Sequence, residues 1–523
     1  MSTWLELQKD LVKTHEFIAE IDVETITFTR IGGYKATPYS LEQKLFSVPT
    51  AKSLKGVWRW WARAAIVGAY NGRVNYRRAN EHLNKILGGT GKDEGISSFR
   101  LEISDVKFPE SYREKLDQII NEIDRFYEGA KDFLINQVPE LGLPQNTKVS
   151  VNLNLFHPFV NIEQETEKIN RYKKSIDELV IQGPLKEYLV KEKGSIKSEL
   201  KKQGRRIVID LQIPKLNDYP QIPRVRLLLM KRGGEKDTLD INNIDSEAIV
   251  KYLERVKEEI AVLVNRGLKF KISLYGSKDA EKVNFALSSL LLSIILGGIG
   301  SITKRAFGSL KLLSFKFGDE LKIDQEIQKI FKELQDKEFT KDELKETIEK
   351  LCNITVNFAK KLFNIDKAQD FHGISTVPSL SNIRIEVVDC VSPNLVKIGN
   401  AFVKQTWKPH PMVQGRDLHT WILGLPRFQE GTGYAVKIKH DHQTYDPLRR
   451  LSSIGVRYFE ARNKNFIIVF GLLSDDWPKD LYHIRRKEQR DREKLVKDIP
   501  PGNSLRDVFD RAFKQVLSKV CEK

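Results

Sequence analysis

The chain has 523 residues, 40% of them hydrophobic, and its 87 lysines and arginines against 70 aspartates and glutamates leave a net charge of +17. That length exceeds what one hydrophobic core ordinarily serves, so at least two domains are expected, and the basic excess favours polyanionic partners, nucleic acid above all. The three cysteines lie far apart without a CxxC pair, against a disulfide framework or zinc knuckle, and no apolar run reaches the roughly 20 residues of a membrane span.

The amphipathic start, MSTWLELQKDLVKTHEF, is unlike a signal peptide, so a cytoplasmic protein with no membrane partner is expected. DVETITFTRIGGY alternates apolar and polar residues and predicts a strand running into a turn. TAKSLKGVWRWWARAAIVGAY predicts a helix, LNKILGGTGKDEGISSF a glycine-rich loop, and RLEISDVKF a strand. Residues 108–205 are charged and helical in pattern, with one strand-like piece, TKVSVNLNLF, and are expected to form a helical insertion. RVRLLLMKR then predicts a strand, DSEAIVKYLERVKEEIAVLVNRG a capped helix, LKFKISLYG a strand, and DAEKVNFALSSLLLSIIL a mostly buried helix. GGIGSITKRAFGSLKLLSF is a glycine-rich loop running into a strand, so β-α-β-α-loop-β outlines half of a ferredoxin-like or RRM-like fold. Residues 324–363 read as a further amphipathic helical insertion. Beyond them come the strands IRIEVVDCV, GYAVKIKH and GVRYFEARNKNFIIVFGLL, long polar loops, and a last helix, SLRDVFDRAFKQVLSKV.

Two stretches carry candidate chemistry. In SLKGVWRWWARA, with Ser53 as N-cap, a spacing of about 100° per residue puts Lys52, Lys55, Arg59 and Arg63 on one arc. Leu54, Val57, Trp58, Trp61 and Ala65 fall on another, and Trp60 on neither. Like charges stacked at helical spacing repel, and a polyanion relieves that repulsion. A solvated basic face beside a core face is the plainer reading, but Gly56 costs a helix about 1 kcal/mol against alanine, which a partner approaching the bare backbone explains. The second stretch, GGIGSITKRAFGSL, combines Gly297, Gly298 and Gly300 with Lys304, Arg305, Gly308 and Ser309. Glycines that let backbone N–H groups approach a ligand, next to cations, suit a phosphate, although a bland turn has the same composition. It is neither a Walker A motif nor a dinucleotide fingerprint.

With ILGGTGKDEGISSFRLEISDV between them, these two motifs resemble the RAMP superfamily of CRISPR proteins, and within it the first-subunit family of the Cmr complex, the type III-B RNA-guided effector. LHTWILGLPR and RRLSSIGVR are similar to that family's second half. The resemblance implies an α+β chain of two RRM-like (ferredoxin-like) domains with large helical insertions: a region 1–315 with the insertion at 108–205, and a region 316–523 with that at 324–363. It implies a non-catalytic, cofactor-free subunit in antiviral defence. Its partners would be crRNA and the target RNA paired with it near the 3′ end of the guide, the backbone Cmr subunits and the sixth subunit. Some RAMP relatives are endoribonucleases that process precursor crRNA, which is the alternative.

The histidines are the candidates for an active site. His372 in DFHGIS could serve as a loop general base, and His440 and His442 in KIKHDHQTYD project to one side of a strand as two ligands of a metal would. No third ligand presents itself, and His410 and His419 sit in a polar stretch. Surface or hydrogen-bonding roles are the expectation for all five, with no metal. Arg416, Arg427, Arg449, Arg450 and Arg457 lie in predicted loops with Trp407, Trp421 and Tyr445. Arginine with aromatic residues suits single-stranded RNA through phosphate pairing and base stacking.

Overall fold

The computed structural model describes residues 16–29, 31, 39–40, 45–46, 48–89, 97–108, 148–154, 206–212, 239–241, 266–365, 373–391, 394–402, 420–424, 427–429, 432–437, 445–446, 451–477, 481–484, 496–497 and 505–521. The chain divides into two compact units. Met1–Arg30, Pro49–Lys107 and Val264–Lys523 form one, Ile31–Val48 and Phe108–Leu263 the other.

The first unit begins with strand β1, Glu16–Thr25, in which Ile21, Val23 and Thr25 are buried while Glu20, Asp22 and Glu24 stay half-exposed. That period of two is what a sheet with one core face requires. Helices α1 (Ala51–Ala69) and α2 (Tyr76–Leu87) follow, then β2 (Phe99–Lys107), β3 (Lys269–Gly276), α3 (Ala280–Leu292) with a π-helical turn at Ser293–Gly297, and β4 (Leu310–Phe317). The strands pair antiparallel in the order β2-β3-β1-β4. This is the β-α-β-β-α-β ferredoxin-like unit. The two stretches that read separately in the sequence therefore close one sheet: β2 lies directly against β3, Phe99 opposite Gly276, despite the long segment between them.

Helix α1 starts one turn earlier than Ser53. Thr50 is its N-cap and Ser53 is N3 of a reciprocal capping box. Its apolar arc goes into the core: Leu54, Trp58, Ala62 and Ala65 are fully buried and Trp61 nearly so. The Trp58 indole donates to Ser289 Oγ on α3 at 2.8 Å, so the ring is buried without an orphaned N–H. By length and composition Ala280–Gly297 could cross a bilayer, but 83% of it is buried inside the fold. Helix α2 was not anticipated; its stretch reads as the approach to a glycine-rich loop.

A second sheet follows α4 (Gln325–Asp336) and α5 (Lys341–Leu362). It is built from β5 (Ile383–Cys390), β6 (Ile454–Glu460) and β7 (Asn465–Leu472) in the antiparallel order β5-β7-β6. Helix α6 (Leu395–Ala401) lies between β5 and β6 in sequence and α7 (Leu505–Cys521) follows β7. This repeats the β-α-β-β-α order of the first sheet, short of a fourth strand among the described residues. Two expectations change here. The run from Gly455 to Leu473 is a hairpin rather than one strand, closed by Ala461 N–H donating to the Lys464 carbonyl. Residues 324–363 are core, not an appended insertion: Ile327, Phe331, Leu344, Ile348 and Leu351 are buried, and α5 packs on α1, α3 and β5.

Short strands at Arg427–Gln429, Thr432–Lys437, Tyr445–Asp446, Leu481–Ile484 and Val496–Lys497 complete the first unit. In the second unit, Lys148–Asn154 pairs parallel with Arg206–Gln212 and antiparallel with Leu239–Ile241, and Tyr39–Ser40 pairs with Leu45–Phe46. The expected strand at 224–232, the body of the helix from 245 and most of the 108–205 insertion lie outside the described residues.

Candidate nucleic-acid interface

The glycine-rich loop between α3 and β4 is sewn to β6. Ala306 N–H donates to the Val456 carbonyl at 2.9 Å, Val456 N–H to the Lys304 carbonyl at 3.0 Å, and Tyr458 N–H to Ser309 Oγ at 3.2 Å. Its glycines are explained mostly by packing. A Cβ on Gly297 would meet Val57 and Trp61, one on Gly298 the Gly308 carbonyl and Arg457, and one on Gly308 the Ile299 carbonyl oxygen at 1.8 Å. Gly297, Gly298, Gly308 and Ser309 are buried, so as RNA contacts they are corrected to seam residues. Ser309 Oγ also donates to the Ala306 carbonyl, and its N–H donates to Thr27 Oγ1.

What the loop does expose is its tip. Gly300 and Ser301 are exposed and Ile302 half-exposed. Among the described residues the N–H groups of these three have no acceptor. Gly300 (φ 86°) and the β-branched Ile302 (φ 61°) both adopt left-handed backbone, which is strained for isoleucine. Consecutive N–H groups turned outward in such a curve make a concavity for an anionic oxygen.

Beside the tip lies α1. Lys304 Nζ sits 4.5 Å from the Trp60 ring centroid and 4.6 Å from that of Phe470, so its charge is held against aromatic faces. Trp60, which belonged to neither arc, is thereby joined to the loop; it and Trp61 pack edge to face with ring centroids 4.9 Å apart. Arg305 lies over Phe402 at 5.4 Å. Gly56 is exposed, with nothing within 4 Å of where a Cβ would stand. At 100° per residue it falls between the directions of Lys52, which is exposed, and Trp60. The helix therefore offers bare backbone flanked by Lys52 on one side and the Trp60–Lys304 pair on the other.

The rest of the basic arc is engaged inside the fold. Arg59 donates to Asn84 Oδ1 at 2.5 Å and to the Leu87 and Gly88 carbonyls, closing the C-terminus of α2. That is a cation at a helix C-terminus, where the unpaired carbonyls need donors. Lys55 donates to Ser97 Oγ at 3.1 Å, and burial together with the Arg59 charge holds its ammonium below the usual lysine pKa. Arg63 lies 5.6 Å from the Tyr76 ring centroid with its Nε buried and unpartnered among the described residues, and burial lowers its pKa as well. Of the four arc residues, only Lys52 is exposed; Arg59 is corrected to a structural cation.

Arg457 is a second correction. It lies not in a loop but in the middle of β6, 1% exposed. Its Nε donates to the Leu296 carbonyl at 2.9 Å, and its Nη1 to the Phe307 carbonyl at 3.1 Å and to that of Thr303. Burial pushes its pKa down to about 9. Trp421 is likewise no stacking platform: it is buried against Trp477, ring centroids 4.9 Å apart. Arg427 begins a short strand. Arg416, Arg449, Arg450, Trp407, His372, His410, His419, His440 and His442 lie outside the described residues. Among the described residues no three His, Cys, Asp or Glu side chains gather as a metal site.

The outward side of the first sheet is charged but balanced in sign. Its central strand presents Glu20, Asp22 and Glu24, with Lys271 neutralised by Glu20 at 3.0 Å and Asp105 at 3.3 Å. Opposite them the register sets Lys269, Lys271, Lys311 and Lys316, so this face is mixed in sign and carries no net field that gathers phosphates.

The family model of the RAMP superfamily matches residues 22–311, over half of the chain, from within β1 to the start of β4. The CRISPR system CMR subunit Cmr1 of Saccharolobus solfataricus is 24% identical over 280 residues, 51% of this chain and 49% of that protein. The chain thus spans about half the length of the curated relative it matches. Two solved chains share the fold over 97% of this chain and 100% of theirs, each with a TM-score of 0.51. One, 13% identical, comes from the Type III-B Cmr-beta complex bound to cognate target RNA, and the other, 16% identical, from that complex with target RNA and AMPPnP in the presence of ssDNA. With its first sheet closing as β-α-β-β-α-β and the family's match running from one edge of that sheet's sequence to the other, the chain belongs to the RAMP superfamily.

Proposed function

We propose that this chain is a Cmr1-type subunit of a type III-B effector, binding crRNA and the target paired with it near the 3′ end of the guide. It acts beside the backbone subunits and the sixth subunit, in the cytoplasm, without chemistry of its own. The similarity to Cmr1 and the shared fold with chains of the RNA-bound Cmr-beta complex support the assembly. The observation that carries the RNA contact is the strip on α1: exposed Gly56 between Lys52 and the Trp60–Lys304 pair, next to the outward N–H groups of Gly300, Ser301 and Ile302. Smooth backbone, two cations and one half-exposed indole suit a single strand's phosphates and bases.

The test is the salt dependence of binding to a fluorescein-labelled unstructured RNA. Affinity should fall steeply with salt, about 0.7 in log–log slope per neutralised phosphate. The double variant Lys52→Glu, Lys304→Glu should bind at least about 10-fold more weakly, with a shallower slope. These positions are chosen because Arg59 holds α2 together, so reversing it would damage the fold rather than the interface. Unchanged affinity and slope in the double variant would sink the assignment. Metal-free cleavage of a labelled repeat RNA, lost on His372→Ala, would instead establish the endoribonuclease alternative.

A further inference from the structure

Arg457 is an unusual choice for its place. It stands in a strand whose other residues up to Phe459 are all buried, and a leucine or methionine could fill that space without desolvating a charge. Among the described residues its hydrogen bonds go to backbone carbonyls alone, and no carboxylate pairs with it. Those carbonyls belong to Leu296, Thr303 and Phe307, which bracket the glycine-rich loop at its start, just past its tip and near its end. One planar guanidinium thus pulls three carbonyls of the loop inward. The first two anchors fix the chain on either side of the tip, and between them the N–H groups of exposed Gly300 and Ser301 and half-exposed Ile302 have no acceptor among the described residues. Close packing adds to the effect: a Cβ on Gly298 would come within 2.9 Å of the guanidinium carbon, so loop and arginine fit each other with no slack.

We propose that Arg457 is the positioning residue of the loop. Reaching across from the second sheet, it sets the tip as a phosphate-binding nest and lends it a buried positive charge that no anion among the described residues cancels. The ligand is a phosphate group of the RNA backbone, held by main-chain N–H groups rather than by side chains. This rests on the RNA-binding reading above, and two probes keep the two apart.

Hydrogen exchange of the full chain is followed over the peptide covering 300–303, with the same unstructured RNA and, separately, with inorganic tripolyphosphate. In the wild-type protein both probes should slow exchange there. In Arg457→Met that protection should vanish and RNA affinity should fall by about 10-fold, with a salt slope shallower by about one phosphate. Arg457→Lys, which cannot span three carbonyls with one ammonium, should restore only part of the protection. Lys52→Ala should weaken RNA binding yet leave protection at the tip, which a general loss of structure would not do. RNA binding at full strength without protection at 300–303 in the wild-type chain overturns the proposal even if Arg457→Met fails to fold. So does a folded Arg457→Met with protection and affinity unchanged. Protection by tripolyphosphate without any RNA binding would uphold the nest and overturn the RNA reading instead.

Discussion

Gly308→Ala is expected to destabilise the chain by roughly 3–5 kcal/mol. Gly308 has φ of 60°, which costs a non-glycine residue about 1–2 kcal/mol by itself. The added Cβ would stand 1.8 Å from the Ile299 carbonyl oxygen, a contact with backbone that no rotamer relieves. Moving away breaks both bonds that Gly308 makes, N–H to the Phe28 carbonyl and carbonyl from Ile299 N–H, each 2.9 Å. Because the same loop is bonded to β6 through Lys304, Ala306 and Ser309, the damage reaches the second sheet. A circular-dichroism melt should show Tm lowered by about 5 °C, at roughly 1–2 °C per kcal/mol for a unit larger than 250 residues. A shift near that of an ordinary surface substitution would mean the seam is not as tight as described.

Trp58→Ala is the second large effect, about 3–5 kcal/mol. The ring is fully buried between α1, α3 and β2, edge-on to Phe99 at 6.3 Å, and its indole N–H reaches Ser289. Trp58→Phe separates the two contributions. It keeps most of the volume but loses the hydrogen bond, and about 1–2 kcal/mol should follow. Trp60→Ala, two residues on and half-exposed, should cost far less stability while weakening RNA binding, since it removes the face on which Lys304 rests. Urea denaturation monitored at 222 nm measures all three, and equal losses for Trp58→Ala and Trp60→Ala would contradict the division of the helix into core and interface.

That division was legible in advance because a helix wheel depends only on spacing. It sorted Leu54, Trp58, Trp61 and Ala65 inward correctly. What it could not supply is the partner of the other arc. Lys55, Arg59 and Arg63 do share a direction, but the neighbour in that direction is α2 and the start of β2, so their charges serve the fold. Helix α2 itself went unread because the glycine pair of ILGGTG drew the loop boundary forward over it, although Asn75 caps it by accepting from Arg78 N–H. The hairpin of β6 and β7 was hidden by its turn, which uses Asn463 and Lys464 and has neither glycine nor proline to mark it.

The glycine-rich loop shows the same limit more sharply. Its composition fits a ligand cradle and a packing seam equally, because both need backbone in close contact. Only the tip, from Gly300 to Ile302, faces outward; Gly297, Gly298 and Gly308 are small because Trp61, Arg457 and Ile299 leave no room. Arg457 was invisible as an organiser. An arginine in a polar neighbourhood reads as a surface charge, and its carbonyl partners lie 150 to 161 positions away in sequence. The strand order of the first sheet was half legible for a related reason. Each half shows its periodicity, but nothing local reveals that β2 closes on β3 across the second unit.

RNA lying along the proposed strip, the first half of α1 and the tip of the glycine-rich loop, would be within crosslinking reach of both. Photocrosslinking with 4-thiouridine RNA, mapped by mass spectrometry on the assembled complex, tests that placement directly. Crosslinks are predicted within residues 52–60 and 300–305, with Trp60 among them. Crosslinks confined to the outward side of the first sheet, around Glu20, Asp22 and Tyr275, would contradict it.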